Sequence, residues 1–350
     1  MTADRIYLDH AATTPLLPAA REAMLAGFAQ WANPSSPHRE GRAARAMLED
    51  ARARIAAALG WDGEVVFTSG ASEALALALA KSRQPLAAVS PVEHEAVLRH
   101  AGGAERLAVD DRGLVDPATV ARTGLIAVQQ VNNETGVIQP LEAIAAAVRG
   151  AGGLLLADCA QGAGKLALPD ADLIALSAHK FGGPTGMGAL LVRDWALLDP
   201  TGGQERGYRA GTENLPGALA MVAALEHGAT WLDGAASLRR QLELSIGEAG
   251  GTVIAADAPR LPTIGAYRMP GVSAAAQLIR FDSMGIAVSA GSACSSGSLR
   301  TSHVLGAMAI EDKAASEVIR VSIGRETTEA DIARFLTTWR EIAGTDRAAA

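Results

Sequence analysis

From about residue 64 the chain alternates short apolar runs with stretches of helical period. "EVVFTS" predicts a strand, and Gly70 separates it from the helix-forming "SEALALALAK". "LAAVS" predicts a second strand, ahead of a helix beginning near "EHEAVL". "LIAVQQV" precedes "PLEAIAAAVRGAGG", where a proline at the start and glycines past the end bound a helix. The strands "LLLAD", "DLIALS" and "GALLVR" follow. This alternation predicts an α/β fold, a mostly parallel sheet covered by helices with ligands at the carboxyl ends of its strands.

Amphipathic helices over about residues 213–248 end that pattern. "GTVIAAD", "PTIGAYRM", "GIAVSAG" and "VIRVSIG" then read as strands interleaved with helices near "SAAAQLIRFDSMG" and "TEADIARFLTTWREIAG". The last helix opens on Thr328 with Asp331 three residues on, a capping-box-like start. We expect two domains: a large one over residues 14–235, and a smaller α+β one built from residues 1–13 and 236–350.

Composition narrows the function. The 350 residues are 49% apolar, enough for a large core. A net charge of -7, with acidic and basic residues interspersed, argues against nucleic acid or an anionic membrane surface and favours a small-molecule substrate. The start "MTADRIYLDHAATTP" lacks an apolar signal region, and no run approaches the roughly 18 apolar residues of a membrane span. Two cysteines, Cys159 and Cys294, form no disulfide framework and have no metal-ligand spacing, so no metal is expected and a reducing cytoplasm fits. Only Lys81, Lys165, Lys180 and Lys313 among the 31 basic residues are lysine, so each lysine invites a separate question.

The chemically loaded residues fall where predicted strands end. Lys180 stands beside His179 in "SAHKFGGPTG", whose glycines let backbone approach a ligand closely. A surface charge is the usual reading of such a lysine, but a buried one can form a Schiff base with a carbonyl. Asp158, closing "LLLAD", matches the carboxylate partner of a protonated pyridine nitrogen. In "TSGASE", Ala71 and Ser72 begin a helix after a glycine turn, which makes an anion cup or an ordinary turn with Ser72 as N-cap. His94 is a capping histidine or a ring that stacks on a planar ligand. Together these roles describe a pyridoxal 5'-phosphate site, which no one of them establishes alone.

With these residues in view the chain resembles the NifS/IscS-like cysteine desulfurases, class V aminotransferase-type enzymes of pyridoxal-phosphate fold type I. The resemblance runs through "YLDHAATTP", "NPSSPH", "FTSGASE", "VEHEAVL", "VNNETGVIQP", "DCAQGAGK", "SAHKFGGPTGMGAL", "QERGYRAGTEN", "SAGSACSSGS" and "IRVSIGRETT", in family order. It implies that Lys180 holds the cofactor covalently and later moves the substrate Cα proton, and that Asp158 keeps the pyridine nitrogen protonated. His94 would stack on the ring, with Gln161 and Asn133 near its phenolic oxygen. Ala71, Ser72, Ser177 and His179 would hold the phosphate, with Thr212 reaching in from the other subunit of a homodimer. Arg320 would clamp the carboxylate of L-cysteine, assisted by Asn33, a task suited to a planar fork. Cys294, in the small and polar "SAGSACSSGS", would take the sulfur as a persulfide and pass it to an acceptor such as an iron-sulfur scaffold.

The pattern is also broken in places. Ala76 stands where the family commonly carries asparagine, and the longest members extend beyond the equivalent of Ala350 with a tail used in scaffold docking. Two rivals stay open at this point: a selenocysteine lyase or another class V lyase or aminotransferase, and a binding-only relative of the same fold. Dependence on Cys294 discriminates the first, and release of alanine from cysteine the second.

Overall fold

The apolar runs predicted as strands assemble as three sheets in the computed structural model, which describes residues 5–291 and 302–347. β1 (Ile6–Tyr7) lies parallel to β11 (Ile286–Ala287). The main sheet holds β2 (Glu64–Thr68), β3 (Leu86–Val89), β4 (Glu105–Arg106), β5 (Leu125–Ala127), β6 (Leu154–Asp158), β7 (Leu173–Ser177) and β8 (Gly188–Val192) in the order β2-β8-β7-β6-β5-β3-β4. β9 (Thr252–Val253), β10 (Ile264–Arg268) and β12 (Val318–Ser322) make a third, antiparallel sheet.

The near-continuous apolar strands of the main sheet are explained by burial on both faces. Ile174 and Leu176 pack into one core with Leu155, Ala157 and Leu191, while their neighbours Leu173 and Ala175 pack into another with Leu156, Leu190 and Val192. The period of two therefore divides hydrophobic residues between two cores instead of separating apolar from polar. One of these cores lies under the helix Ala71–Lys81, through Ala74, Leu75 and Ala78. Ile55 and Leu48 of the helix Arg39–Leu59 enter the other, with Ala218 and Val222 of Leu215–Glu226.

The sheet is parallel from β4 through β7, and β8 breaks the rule by running antiparallel to both its neighbours. The ten residues from 178 to 187 between β7 and β8 hold only a single 3-10 turn, Ala178–Lys180, too little for a crossover helix, so the chain returns antiparallel. Several predicted strands are shorter than their apolar runs. "LIAVQQV" pairs only over β5, "GIAVSAG" only over β11 and "GTVIAAD" only over β9, because strand length is set by the partner available for backbone pairing. The helix near "EHEAVL" is a single turn, Glu95–Leu98. The capping box of the last helix, Glu329–Arg347, is formed: Thr328 N–H reaches Asp331 Oδ2 at 2.8 Å and Asp331 N–H reaches Thr328 Oγ1 at 3.2 Å. Its apolar face buries Ile332, Phe335 and Trp339 in a further core that also contains Ile6, Leu8, Leu242, Phe281 and Ile319.

One buried ion pair organises the segment that carries "QERGYRAGTEN". Glu205 and Arg206 adopt left-handed backbone conformations, with φ of 49° and 57°, which cost non-glycine residues on the order of 1–3 kcal/mol each. The Glu205 carboxylate offsets this by accepting Arg52 Nη1 at 2.8 Å, Arg52 Nη2 at 3.3 Å and the Phe67 N–H at 2.9 Å. Glu205→Ala should leave the buried Arg52 with only Glu49, on its Nε at 3.2 Å, as a carboxylate partner, and lower stability by about 3 kcal/mol. Urea unfolding followed by fluorescence reads this, and a loss under about 1 kcal/mol would show the pair to be dispensable.

Candidate active site

Parallel strands deliver their last residues to one edge of the sheet, and the connections there enclose a cavity of about 400 Å³. Ala71, Ser72, His94, Asn133, Asp158, Gln161, Ser177, His179, Lys180 and Arg320 all line it. Asp158 is the final residue of β6 and Ser177 the final residue of β7, so pairing of two adjacent strands fixes their separation. Asn33 and Thr212 are exposed and do not line this cavity. Cys294 lies outside the described residues.

One end of the cavity is a cup. Gly70, not Ser72, is the N-cap of the helix Ala71–Lys81, which places Ser72 inside the first turn. Gly70 has φ of 153°, and a Cβ on Gly188 would sit 2.6 Å from the Gly70 Cα, so both positions need glycine. The first N–H groups of the helix have no intrahelical acceptor, and with the Ser72 and Ser177 side chains they suit an anion. His179 belongs to the same wall, its Nδ1 3.1 Å from Thr13 Oγ1. Burial, with the charges of Lys180 and Lys165, brings its pKa down to about 4, so it is a neutral imidazole at physiological pH.

The opposite wall is acidic. Asp158 is 8% exposed, and its Oδ1 accepts the Ala160 N–H at 2.9 Å. Burial pushes its carboxyl up, against the pull of that N–H and of the His94 and Lys180 charges. Glu93, 1% exposed, is raised well above the carboxylate range by burial and by Asp158; one of its oxygens accepts the Gln129 N–H at 2.6 Å. Two desolvated carboxyls in mutual repulsion favour a cation beside them, the role a protonated pyridine ring fills. The residues present therefore fit pyridoxal phosphate at both ends, a phosphate at the cup and a ring nitrogen at Asp158.

Lys180 follows β7 on the 3-10 turn, and its Nζ donates to the carbonyls of Ala11 at 2.6 Å and Ala12 at 2.8 Å. Gln161 Nε2 also donates to Ala11 at 2.8 Å, while its Oε1 is buried without a hydrogen-bond partner among the described residues. His94 is the N-cap of the turn Glu95–Leu98: Nδ1 accepts the Ala96 N–H at 3.1 Å, which leaves the neutral ring's proton on Nε2. The capping role expected of a bare histidine and a place in the cavity wall are thus both held by His94. Arg320 is 4% exposed on β12, and donates to the Asn133 carbonyl at 2.9 Å and to Asp9 Oδ1 at 2.7 Å.

Asp9 and Glu93 were not among the residues singled out from the sequence. Both stand inside motifs, "YLDHAATTP" and "VEHEAVL", yet nothing local announces that Asp9 meets an arginine 311 positions away. Cys159 is wholly buried and its thiol is pushed well up by burial, in keeping with a packing residue. Among the described residues, no group of three or more His, Cys, Asp or Glu is placed to hold a metal ion, and no helix is long and apolar enough to cross a membrane.

Residues 6–335 match the family described as aminotransferase class-V. A protein named cysteine desulfurase from Gluconacetobacter diazotrophicus is 38% identical, over 95% of this chain and 91% of its own. One named cysteine desulfurase IscS from Anaeromyxobacter sp. strain Fw109-5 is also 38% identical, over 93% and 89%. The solved structure of a NifS-like protein from Rickettsia africae ESF-5 superposes with a TM-score of 0.88 at 28% identity, over 97% of this chain and 99% of that one.

Lys165 gives the site a pH signature. Its Nζ donates to the Gln161 carbonyl at 3.0 Å, and burial, with Lys180 and Arg325 nearby, pushes its pKa down to about 7 from 10.5. Between those two values the unfolded chain binds the proton and the folded chain does not, so stability rises with pH across the window. Urea unfolding of cofactor-free protein at several pH values should show this rise, and Lys165→Met should flatten it. An equal slope in both proteins would remove Lys165 as its source.

Proposed function

We propose that this chain, which belongs to the aminotransferase class-V family, uses the cavity at the ends of its strands to run a cysteine desulfurase reaction. Relatives that match more than nine-tenths of the chain carry that name. The enzyme converts L-cysteine to L-alanine and moves the sulfur to an acceptor. The observation that carries this reading is the meeting of Lys180, Asp158, the Ser72–Ser177–His179 cup and Arg320 in one cavity.

Pyridoxal 5'-phosphate, when bound, supplies an electron sink for the charge left on the substrate Cα. Lys180 holds it through Nζ and afterwards carries the Cα proton. Asp158 keeps the proton on the pyridine nitrogen, and the positive charge it gains there relieves its own desolvation. His94 would stack on the ring and exchange protons at Nε2, since Nδ1 is committed to the Ala96 N–H. Gln161, whose Oε1 has no partner among the described residues, and Asn133 would hold the phenolic oxygen. Ala71, Ser72, Ser177 and His179 take the phosphate, and Thr212, exposed on its own chain, serves the cup of a second copy.

Arg320 receives the substrate carboxylate, with Asn33 assisting. Its guanidinium is already aimed by Asp9 and the Asn133 carbonyl, so little side-chain freedom is lost on binding. The Cys294 thiolate attacks the sulfur of L-cysteine: the Cβ–S bond breaks, an S–S bond forms, and the three-carbon skeleton takes up protons to leave as alanine. L-cysteine and the enzyme thiol become L-alanine and an enzyme persulfide, with no external oxidant or reductant. The finer reading is a cytoplasmic homodimer that delivers this sulfur to an acceptor protein such as an iron-sulfur scaffold. In that reading residues 14–235 form the cofactor domain, and residues 1–13 with 236–350 the smaller domain that carries Cys294.

Two variants test the assignment. Cys294→Ser should keep the cofactor's visible absorption and its spectral response to cysteine, yet form no persulfide; desulfuration at the wild-type rate would sink the role of Cys294. Lys180→Ala should lose the absorption band of the covalently held cofactor and fall at least 100-fold in turnover, the scale of a lost general base. An unchanged spectrum would remove Lys180 from its place.

A further inference from the structure

Lys165, the last residue of "DCAQGAGK", has no part in the reaction described above. It is partly buried and has no carboxylate partner among the described residues; the charges that bear on it are those of Lys180 and Arg325, both cations. A cation among cations is unfavourable, so something other than ion pairing keeps an amine at this position. Its one hydrogen bond is the donation from Nζ to the Gln161 carbonyl at 3.0 Å.

The turn after Asp158 closes without that bond. The Ala163 N–H reaches the Cys159 carbonyl at 2.9 Å, and the Lys165 and Leu166 N–H groups reach the Gly162 carbonyl at 2.9 and 2.8 Å. None of these takes the Gln161 carbonyl, for which Lys165 Nζ is the one donor among the described residues. Gly162, next in the chain, cannot brace the peptide with a side chain, because a Cβ there would run into Gln130 Oε1. Gln161 itself is 4% exposed and lines the cavity, and its Nε2 shares the Ala11 carbonyl with Lys180 Nζ, at 2.8 and 2.6 Å. Lys165, Gln161, Ala11 and Lys180 are therefore linked by consecutive hydrogen bonds. Ala11 takes one of the two Nε2 hydrogens, and the other is left for a ligand oxygen.

We propose that Lys165 is a positioning residue: by holding the Gln161 carbonyl it fixes the amide that donates to the phenolic oxygen of the cofactor. The proposal rests on the reading that gives Gln161 that oxygen. A donor to an oxygen that gains negative charge when a proton leaves favours the deprotonated form. When the cofactor is bound, the proton concerned is the one on its bond to Lys180, so releasing Gln161 should raise the pH midpoint of the visible absorption band. The net worth of one hydrogen bond sets the size of the shift at about 0.5–1 pH unit.

The test titrates that band in the cofactor-loaded enzyme and in its Lys165→Met, Gln161→Ala and doubly substituted forms. Each single variant should raise the midpoint by about 0.5–1 pH unit, and the double variant no further than Gln161→Ala alone. The charge of Lys165 also bears on Lys180, His179 and His10, with Arg325 acting on the same group, and losing a positive charge beside Lys180 moves the midpoint in the same direction. The double variant separates the two effects: a Lys165→Met shift that persists in the Gln161→Ala background means that Lys165 acts through its charge, and overturns the proposal. An unmoved midpoint in Lys165→Met beside a raised one in Gln161→Ala also overturns it, and leaves the role of Gln161 standing. An unmoved midpoint in Gln161→Ala removes the underlying reading of Gln161 and the proposal with it. Should Lys165→Met fail to fold, Lys165→Gln takes its place: it stays polar, but its amide is one bond short of the carbonyl, and the same shift is expected.

Discussion

Residues 8–14 form the seam on which the rest of the site depends. Leu8 accepts the Ser322 N–H of β12 at 2.8 Å and donates to the Ala287 carbonyl at 2.9 Å, so this stretch is bound to β12 and the end of β11. A few residues on, Ala11 and Ala12 offer their carbonyls to Lys180, Ala11 also takes Gln161, and the Thr14 N–H donates to the His179 carbonyl at 2.8 Å. Asp9, between them, holds Arg320. One short strip of backbone, turned at residues 10–12, thereby links the lysine end of the cavity to the arginine that lines it. The turn suits this task because the Ala12 and Thr13 N–H groups close it on the Asp9 carbonyl, at 3.0 and 3.4 Å, while the carbonyls of Ala11 and Ala12 stay available to accept from Lys180.

The electrostatics of the cavity follow from burial. Asp158 and Glu93 are pushed up on one side, while His179 and Lys165 are pushed down on the other, in each case mainly by desolvation. His10, beside Tyr7, is likewise brought down to about 4, with burial as the leading cause. Each shift favours the neutral form of its group; of the five, Asp158 and His179 line the cavity and Glu93, Lys165 and His10 do not. A ligand with a cationic ring and an anionic phosphate would meet groups whose hydrogen bonds, such as Asp158 Oδ1 with the Ala160 N–H and His179 Nδ1 with Thr13 Oγ1, orient them beforehand.

Much of the fold was legible in the chain. Six of the seven strands of the main sheet, all but the two-residue β4, the helices Ala71–Lys81 and Leu141–Gly150 and the capping box at Thr328 come from local period and local chemistry. The sequence reading erred where a partner decides the outcome. β5, β9 and β11 stop short of their apolar runs, and the N-cap of the helix Ala71–Lys81 is Gly70, with Ser72 inside the first turn. The helices Pro18–Phe28 and Arg39–Leu59, ahead of the alternating region, were not anticipated at all.

For the site, the residue types announced the chemistry and the fold supplied the arrangement. Lysine, aspartate, histidine and a glycine turn at strand ends belong to the sequence, since a parallel sheet exposes its carboxyl ends together whatever its details. That Asp9 aims Arg320, that Glu93 stands behind Asp158, and that Glu134 secures Ser302 could be known only from the tertiary structure. Those partners lie from 65 to 311 residues apart, and a hydrogen bond of about 3 Å carries no signature in the spacing of residues that only folding brings together.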